Sequence, residues 1–155
     1  MLRGAYLLIL RNSEDVSLRV GSLGVLFFRK GFYIYVGSAK AGIEGRIRRY
    51  IEGPSRIKWH IDYLITAPSF RLENVIKIES GDEVKIARNL SEILPAVNKF
   101  GSSDDRENKS HLFFSESNPL DLLLNLVGRI GYENLEVIHL VKDGGSTSFF
   151  KGGLR

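Results

Sequence analysis

The unbroken apolar and aromatic run Ala5–Leu10 constrains the fold more than any other feature of the chain. Bounded by Gly4 and the polar stretch Arg11–Asp15, it reads as a buried strand. Three more strand-length segments follow at once. Val16–Val20 alternates apolar and polar residues, Gly21-Ser22-Leu23-Gly24 punctuates, and Val25–Phe28 resumes. Lys30-Gly31 then looks like a tight turn into Phe32–Val36. Connections this short suit antiparallel neighbours, so the first quarter is expected to be a run of antiparallel strands. Six apolar residues are far fewer than the roughly 20 that cross a bilayer as a helix.

Gly37 is expected to end the fourth strand, leaving Gly37-Ser38-Ala39-Lys40 as a turn. The spacing then predicts a helix over Ile43–Glu52, stopped by Gly53-Pro54, with Ile43, Ile47 and Ile51 as its buried stripe. Arg46 and Tyr50 lie one turn apart on a flank of that stripe, while Arg48 points to solvent. Ser55 is read as the cap of a second helical segment through Tyr63, and Val75–Glu79 as a strand. Asp82 caps a helix from Glu83 to Leu94, on which Ile86, Ala87, Leu90 and Leu94 share a face with Glu83. A carboxylate in line with an apolar stripe is costly unless paired or bound to metal.

Phe100–Ser110 reads as a loop, and His111–Phe114 as a return to apolar structure. Asn118 and Pro119 open a last helix that Gly131 closes. Leu135–Val141 and Thr147–Phe150 flank an Asp143-Gly144-Gly145-Ser146 hairpin turn, to which no chemistry is assigned. The fold class expected is mixed α/β (α+β): a small, mainly antiparallel sheet flanked by helices. Tyr6 and Tyr35 should share one face of it, with the helices bearing Arg46 and Glu83 packed beside that face. At 155 residues one domain is the default, with residues 1–115 as the main unit. Residues 116–155 form a helix-hairpin extension packed on it, which extends the sheet or mediates self-association.

The chain has no cysteine. Disulfides, thiolate metal sites, iron–sulfur clusters and cysteine nucleophiles are excluded together. A soluble, cytoplasmic protein with no membrane partner is expected. Glutamine is absent and methionine occurs once, a composition weakly suggestive of a thermophilic source. The positive charge is concentrated. Between Phe28 and His60 stand Arg29, Lys30, Lys40, Arg46, Arg48, Arg49, Arg56 and Lys58, opposed by Glu44 and Glu52 alone. Aromatic residues interleave with them (Phe32, Tyr33, Tyr35, Tyr50, Trp59). A basic region on a nearly neutral body is the electrostatic footprint expected for a polyanion.

Phosphodiester hydrolysis needs a cation on the phosphate, a fixed donor for the transition state, a group that handles the proton of water, and a basic surface for the backbone. The sequence offers two tyrosines on strands, an arginine on the next helix and a carboxylate on a later one. Gly4-Ala5-Tyr6, then Tyr35-Val36-Gly37-Ser38-Ala39-Lys40, then Arg46 resemble the motifs of the GIY-YIG nuclease superfamily. Four further blocks make the chain more closely similar to an archaeal and bacterial GIY-YIG-like family of uncharacterised function, sometimes fused to an endonuclease III domain. They are Gly21-Ser22-Leu23-Gly24, Trp59-His60-Ile61-Asp62-Tyr63-Leu64, Phe100-Gly101-Ser102-Ser103-Asp104 and Ser110-His111-Leu112-Phe113. The resemblance covers about residues 2–114.

The resemblance implies a nuclease using one divalent metal, Mg²⁺ or Mn²⁺, on the helical Glu83, with DNA as the partner. It implies Tyr6 as general base or water positioner, Tyr35 lining the site or orienting water, and Arg46 stabilising the transferring phosphate. Many relatives carry His where Tyr50 stands; the superfamily's excision-repair nucleases carry Tyr. A phenol has an ordinary pKa near 10, so it ionises only beside metal or Arg. Ser38 and Lys40, in a turn whose amides could hold phosphate, join Arg49, Arg56 and Lys58 as candidate nucleic-acid contacts. His60, Asp62, Asp104 and His111 are read as structural hydrogen-bonding groups in preference to a second metal site. Trp59 is read as a packing anchor. About 29 residues separate Tyr6 from Tyr35, against roughly ten in compact superfamily members, because a strand pair is inserted. The alternative readings are a nucleic-acid-binding module whose catalysis has lapsed, and a protein-interaction domain.

Overall fold

The computed structural model describes residues 4–40, 42–97, 100, 108, 110–140 and 147–152. In chain order the elements are β1 (Gly4–Asn12), β2 (Val16–Arg19), a 3₁₀ turn (Gly21–Leu23), β3 (Val25–Phe28), β4 (Gly31–Ala39), α1 (Ile43–Glu52), α2 (His60–Ile65), β5 (Phe70–Glu79) and α3 (Glu83–Ser91). They continue with β6 (Ala96–Val97), β7 (Leu112–Ser115), α4 (Leu120–Ile130), β8 (Leu135–Leu140) and β9 (Thr147–Gly152). The class is α+β, as expected. Seven strands form one antiparallel sheet in the order β6-β7-β4-β1-β5-β8-β9, and β2 with β3 forms a separate two-stranded ribbon.

β1 sits at the centre, between β4 and β5. Its side chains alternate between two cores, which is why its apolar run is unbroken. Tyr6, Leu8 and Leu10 pack with α1, α2 and the ribbon on one face. Ala5, Leu7 and Ile9 pack with α3 and α4 on the other. The sheet is therefore the middle of three layers. This corrects one expectation: the helices bearing Arg46 and Glu83 lie on opposite faces, because Ile43 and Ile47 belong to one core and Ile86, Ala87 and Leu90 to the other.

Two further expectations fail for local reasons. Gly37 does not end the fourth strand, since β4 stays in register with β1 as far as Gly4↔Ala39. Gly37, Ser38 and Ala39 therefore belong to the strand and not to a turn after it. Ser55 caps nothing. Residues 53–58 are irregular after Gly53 (φ 89°), and α2 begins at His60 with Trp59 as its N-cap. On α1 the fully buried positions are Ile43, Ile47 and Tyr50, with Ile51 only half-buried.

Other readings hold. α1 has the bounds expected, Asp82 Oδ1 accepts the N–H groups of Val84 and Lys85 at the start of α3, and Gly131 (φ 117°) closes α4. α3 ends at Ser91, short of Leu94. The extension adds to the sheet: β8 pairs with β5, and β9 with β8. The turn at residues 143–146 and Asp104 lie outside the described residues. Among the described residues, no helix is long and apolar enough to cross a membrane.

Candidate functional site

The site begins with the pairing of Tyr6 and Gly37 across β1 and β4. A Cβ at residue 37 would lie 2.3 Å from Tyr6 Cζ. Glycine is what lets the Tyr6 ring lie across β4 and reach α1. There its hydroxyl stands 2.9 Å from the Tyr50 hydroxyl, with ring centroids 5.6 Å apart. Both rings are buried, at 1% and 2% exposure. One turn back on α1, half-buried Arg46 donates from Nη1 to the Ser38 carbonyl at 3.2 Å.

Ser38 joins the two layers. Its carbonyl accepts Arg46 from the α1 side, while its hydroxyl donates to Glu83 Oε1 at 2.8 Å. Glu83, in the first turn of α3, thus reaches the end of β4 from the opposite face of the sheet. Its side chain is 32% exposed, and its second oxygen lies 3.5 Å from Nδ1 of buried His111. The inward-facing carboxylate expected from the apolar stripe is instead a rim group held by a hydroxyl.

Burial dominates the acid–base character of the phenols. Desolvation raises the Tyr6 pKa, and the hydrogen bond from Tyr50 and the Arg46 charge pull back only part of the shift. Tyr50 is raised for the same reason, with the Tyr6 phenol adding to it and Arg46 opposing. Tyr35, half-exposed by area and edge-on to Phe100 at 6.4 Å, is also raised by desolvation, with Tyr6 and Glu83 adding. All three phenols are therefore neutral donors near neutral pH. Arg46 is the cation that faces them.

The basic residues divide. Lys40, Arg56 and Lys58 are exposed. Arg49, expected to be a free contact, is instead committed: it forms a two-pronged ion pair with Asp62 at 2.8 and 2.7 Å and donates to the Arg56 carbonyl at 3.1 Å. Asp62 is fully buried and also accepts the Lys58 and Trp59 N–H groups at 2.7 and 2.9 Å. Burial works to raise its pKa, but Arg49 and the two amides outweigh burial and hold it below the usual carboxylate range.

Trp59 is more than a packing anchor. The Arg46, Arg49 and Lys58 cations lie 4.3, 4.6 and 4.6 Å from its ring centroid, within the roughly 6 Å over which a ring face attracts a cation. Asp62 fixes Arg49 and the Trp59 backbone, and the indole backs Arg46. The signal in the sequence was an acid three residues after position 59, the reciprocal half of a capping box. His60 is half-buried and packs edge-on to Phe100 at 5.8 Å.

Among the described residues no group of three or more His, Asp or Glu gathers as a ready-made metal cage. One half-exposed carboxylate beside a hydroxyl is nevertheless the kind of oxygen donor set Mg²⁺ accepts, since that ion keeps several waters and takes one or two carboxylates plus substrate phosphate.

No curated protein and no solved structure matches the chain. Residues 5–132, from within β1 to the end of α4 and just beyond, match the model of a domain of unknown function, DUF123, and the chain belongs to that family.

Proposed function

We propose that the chain is a metal-dependent nuclease that hydrolyses phosphodiester bonds in DNA, in the manner of the GIY-YIG superfamily. The observation that carries this reading is the junction at Ser38. Through it a half-exposed acid and a guanidinium from opposite layers of the molecule are joined by hydrogen bonds to one residue, and the guanidinium faces the hydrogen-bonded phenol pair. The cations Lys40, Arg56 and Lys58 are exposed, which suits contact with the backbone of a polyanion.

Glu83 is the residue that would hold Mg²⁺ or Mn²⁺, with Ser38 beside it. Bound there, the ion would neutralise phosphate charge and acidify water. The chain's own groups do the rest. Arg46 presents fixed donors to the phosphate oxygens, where charge develops. Tyr6 and Tyr50 are protonated at neutral pH; one O–H is spent on the bond between them, and the other is the donor that would hold water or a phosphate oxygen. Of the two roles implied for Tyr6, water positioner fits this environment better than resting general base. Tyr35 walls the site on the Phe100 side. Arg49 acts through Trp59 and not on the substrate.

The test is cleavage of nicked, branched and duplex DNA in Mg²⁺ or Mn²⁺. Products are expected with the native chain. Glu83→Gln should cut at least about 100-fold more slowly, the scale for losing one electrostatic stabiliser of a transition state, with an unchanged circular-dichroism spectrum. Full activity in that variant would refute the scheme. One observation favours a second reading, a DNA-binding module that does not turn over: Tyr6 and Tyr50 are almost sealed from solvent. A salt-sensitive gel shift without products in either metal would select it.

A further inference from the structure

Residues 13–30 connect β1 to β4, two strands that already pair at Asn12↔Gly31. A two-residue turn is enough to close such a pair. The chain instead builds the β2–β3 ribbon there. Folding accounts for one face of it. Val16, Leu18 and Leu26 pack on the first core, Phe28 is buried in it, and a Cβ on Gly21 at the tip would lie 3.3 Å from the Tyr63 hydroxyl.

Folding does not account for the other face. Phe27 is 66% exposed and Val25 59%, the two most exposed large apolar side chains among the described residues. Their cross-strand partners, Ser17 and Arg19, are exposed as well. Arg29 continues the row one pleat beyond Phe27; its guanidinium lies 3.9 Å over Phe114 and 3.9 Å from Glu116 in a largely exposed pair. None of the outward residues Ser17, Arg19, Val25 and Phe27 is acidic. The acids of the segment, Glu14 and Asp15, stand at its base, where Asp15 Oδ1 accepts the Lys30 N–H at 2.7 Å.

We propose that this outer face is a second nucleic-acid contact, in which Phe27 stacks on an unpaired or unstacked base and Arg19 meets the adjacent phosphate. An exposed aromatic beside Arg19, with Asp15 and Glu116 confined to the base of the face around Arg29, complements a polyanion with π-faces better than it complements another protein. A two-stranded ribbon is slim enough to enter a major groove, and Phe is among the side chains that wedge between base steps. The ribbon packs on the same side of the main sheet as Tyr6 and α1. The inference rests on the nucleic-acid reading above and adds a preference for DNA with disrupted stacking.

The experiment measures binding of fluorescently labelled branched, single-stranded and duplex oligonucleotides by anisotropy, in EDTA so that cleavage plays no part, over a range of salt. Phe27→Ala should bind branched and single-stranded DNA about 5- to 150-fold more weakly, the loss of one stacked base. Its slope of log affinity against log salt should not change, because no phosphate contact is lost. Phe27→Trp should bind as the native chain does. Arg19→Gln should flatten the slope by about one. Thermal melts should coincide, since Phe27 lies outside the core. If the native chain binds and Phe27→Ala binds equally well, the ribbon contact is overturned and the nuclease reading stands. If the native chain binds none of the probes, the nucleic-acid reading itself fails. If sedimentation shows Phe27→Ala turning a dimer into a monomer, the face is a self-association surface and the proposal is overturned.

Discussion

Asp62→Asn is the most exacting test of how this site is supported. The native carboxylate is fully buried and takes four donors: two from Arg49, one from the Lys58 amide and one from the Trp59 amide. Asparagine keeps the shape but offers one acceptor oxygen and turns an N–H₂ toward a donor. With the amide oxygen in the place of Oδ2, both backbone amides and Arg49 Nη2 keep their acceptor, but Arg49 Nη1 meets an N–H₂ group and the guanidinium loses its counter-charge. Breaking a buried ion pair from one side costs about 3–5 kcal/mol. Arg49 is 23% exposed, so water recovers part of its loss, and about 2–4 kcal/mol is a fairer figure. For a chain of 155 residues each kcal/mol moves Tm by about 2–4 °C, which gives a fall of roughly 4–16 °C. The pH dependence gives an independent check. The native pKa of Asp62 is depressed, so its contribution is present above the unfolded value near 3.9 and is lost as pH falls through the folded value. Melting curves of the two proteins should therefore differ at neutral pH and converge in strong acid. Trp59 is the chain's single tryptophan, so its fluorescence reports the loosened brace directly. Equal melting at neutral pH, or a gap that persists in acid, would refute the reasoning.

Gly37→Ala tests the Tyr6 arrangement. A Cβ 2.3 Å from the ring forces the phenol off β4, so a loss of about 1–3 kcal/mol by urea denaturation is expected, together with a perturbed tyrosine near-ultraviolet spectrum. The phenols predict an alkaline limit. The folded pKa values of Tyr6, Tyr35 and Tyr50 are raised by burial and that of Tyr33 is pushed up to about 12, so their contribution is complete below the unfolded value near 10 and lost as pH rises through the folded values. The tyrosinate absorbance of these four phenols should therefore appear together with unfolding above about pH 10; their smooth titration in a folded chain would count against their burial.

What the sequence disclosed follows the range of the interactions involved. The bounds of α1 were legible because its stripe and its Gly53-Pro54 stop signal are both local. β4 was cut short because a glycine after an aromatic run looks like a terminator, whereas Gly37 makes room for a ring on the neighbouring strand. α2 was misplaced because Ser55 is a common cap residue, while the group that satisfies the Trp59 amide is Asp62. Arg49 looked like a free surface cation because its partner lies thirteen positions on, across an irregular connection. Glu83 looked inward because the apolar stripe of α3 includes its position, but a first-turn side chain lies beyond the core and meets the end of β4. Tyr6, Arg46, Tyr50 and Glu83 as one set were legible only through their resemblance to known motifs. Composition and periodicity do not bring two sides of a sheet to a single serine.

That serine also decides which variants can separate chemistry from architecture. β7 pairs with β4 only along Phe32–Tyr35, and the next amide, Val36 N–H, goes to the His111 carbonyl. Beyond it, among the described residues, β1 is the only strand paired with β4. An unpaired edge carbonyl is a liability unless something covers it, and Arg46 covers that of Ser38. Arg46 therefore closes a sheet edge, rests on an indole and faces two phenols at once. Replacing it removes structure and candidate chemistry together, so lost activity in an Arg46 variant would say little by itself. Glu83 is half-exposed at the rim, and glutamine in its place can still accept the Ser38 hydroxyl. A glutamine there removes the charge that a cation needs while leaving the serine bonded, which is why the case for metal-assisted cleavage turns on that one substitution.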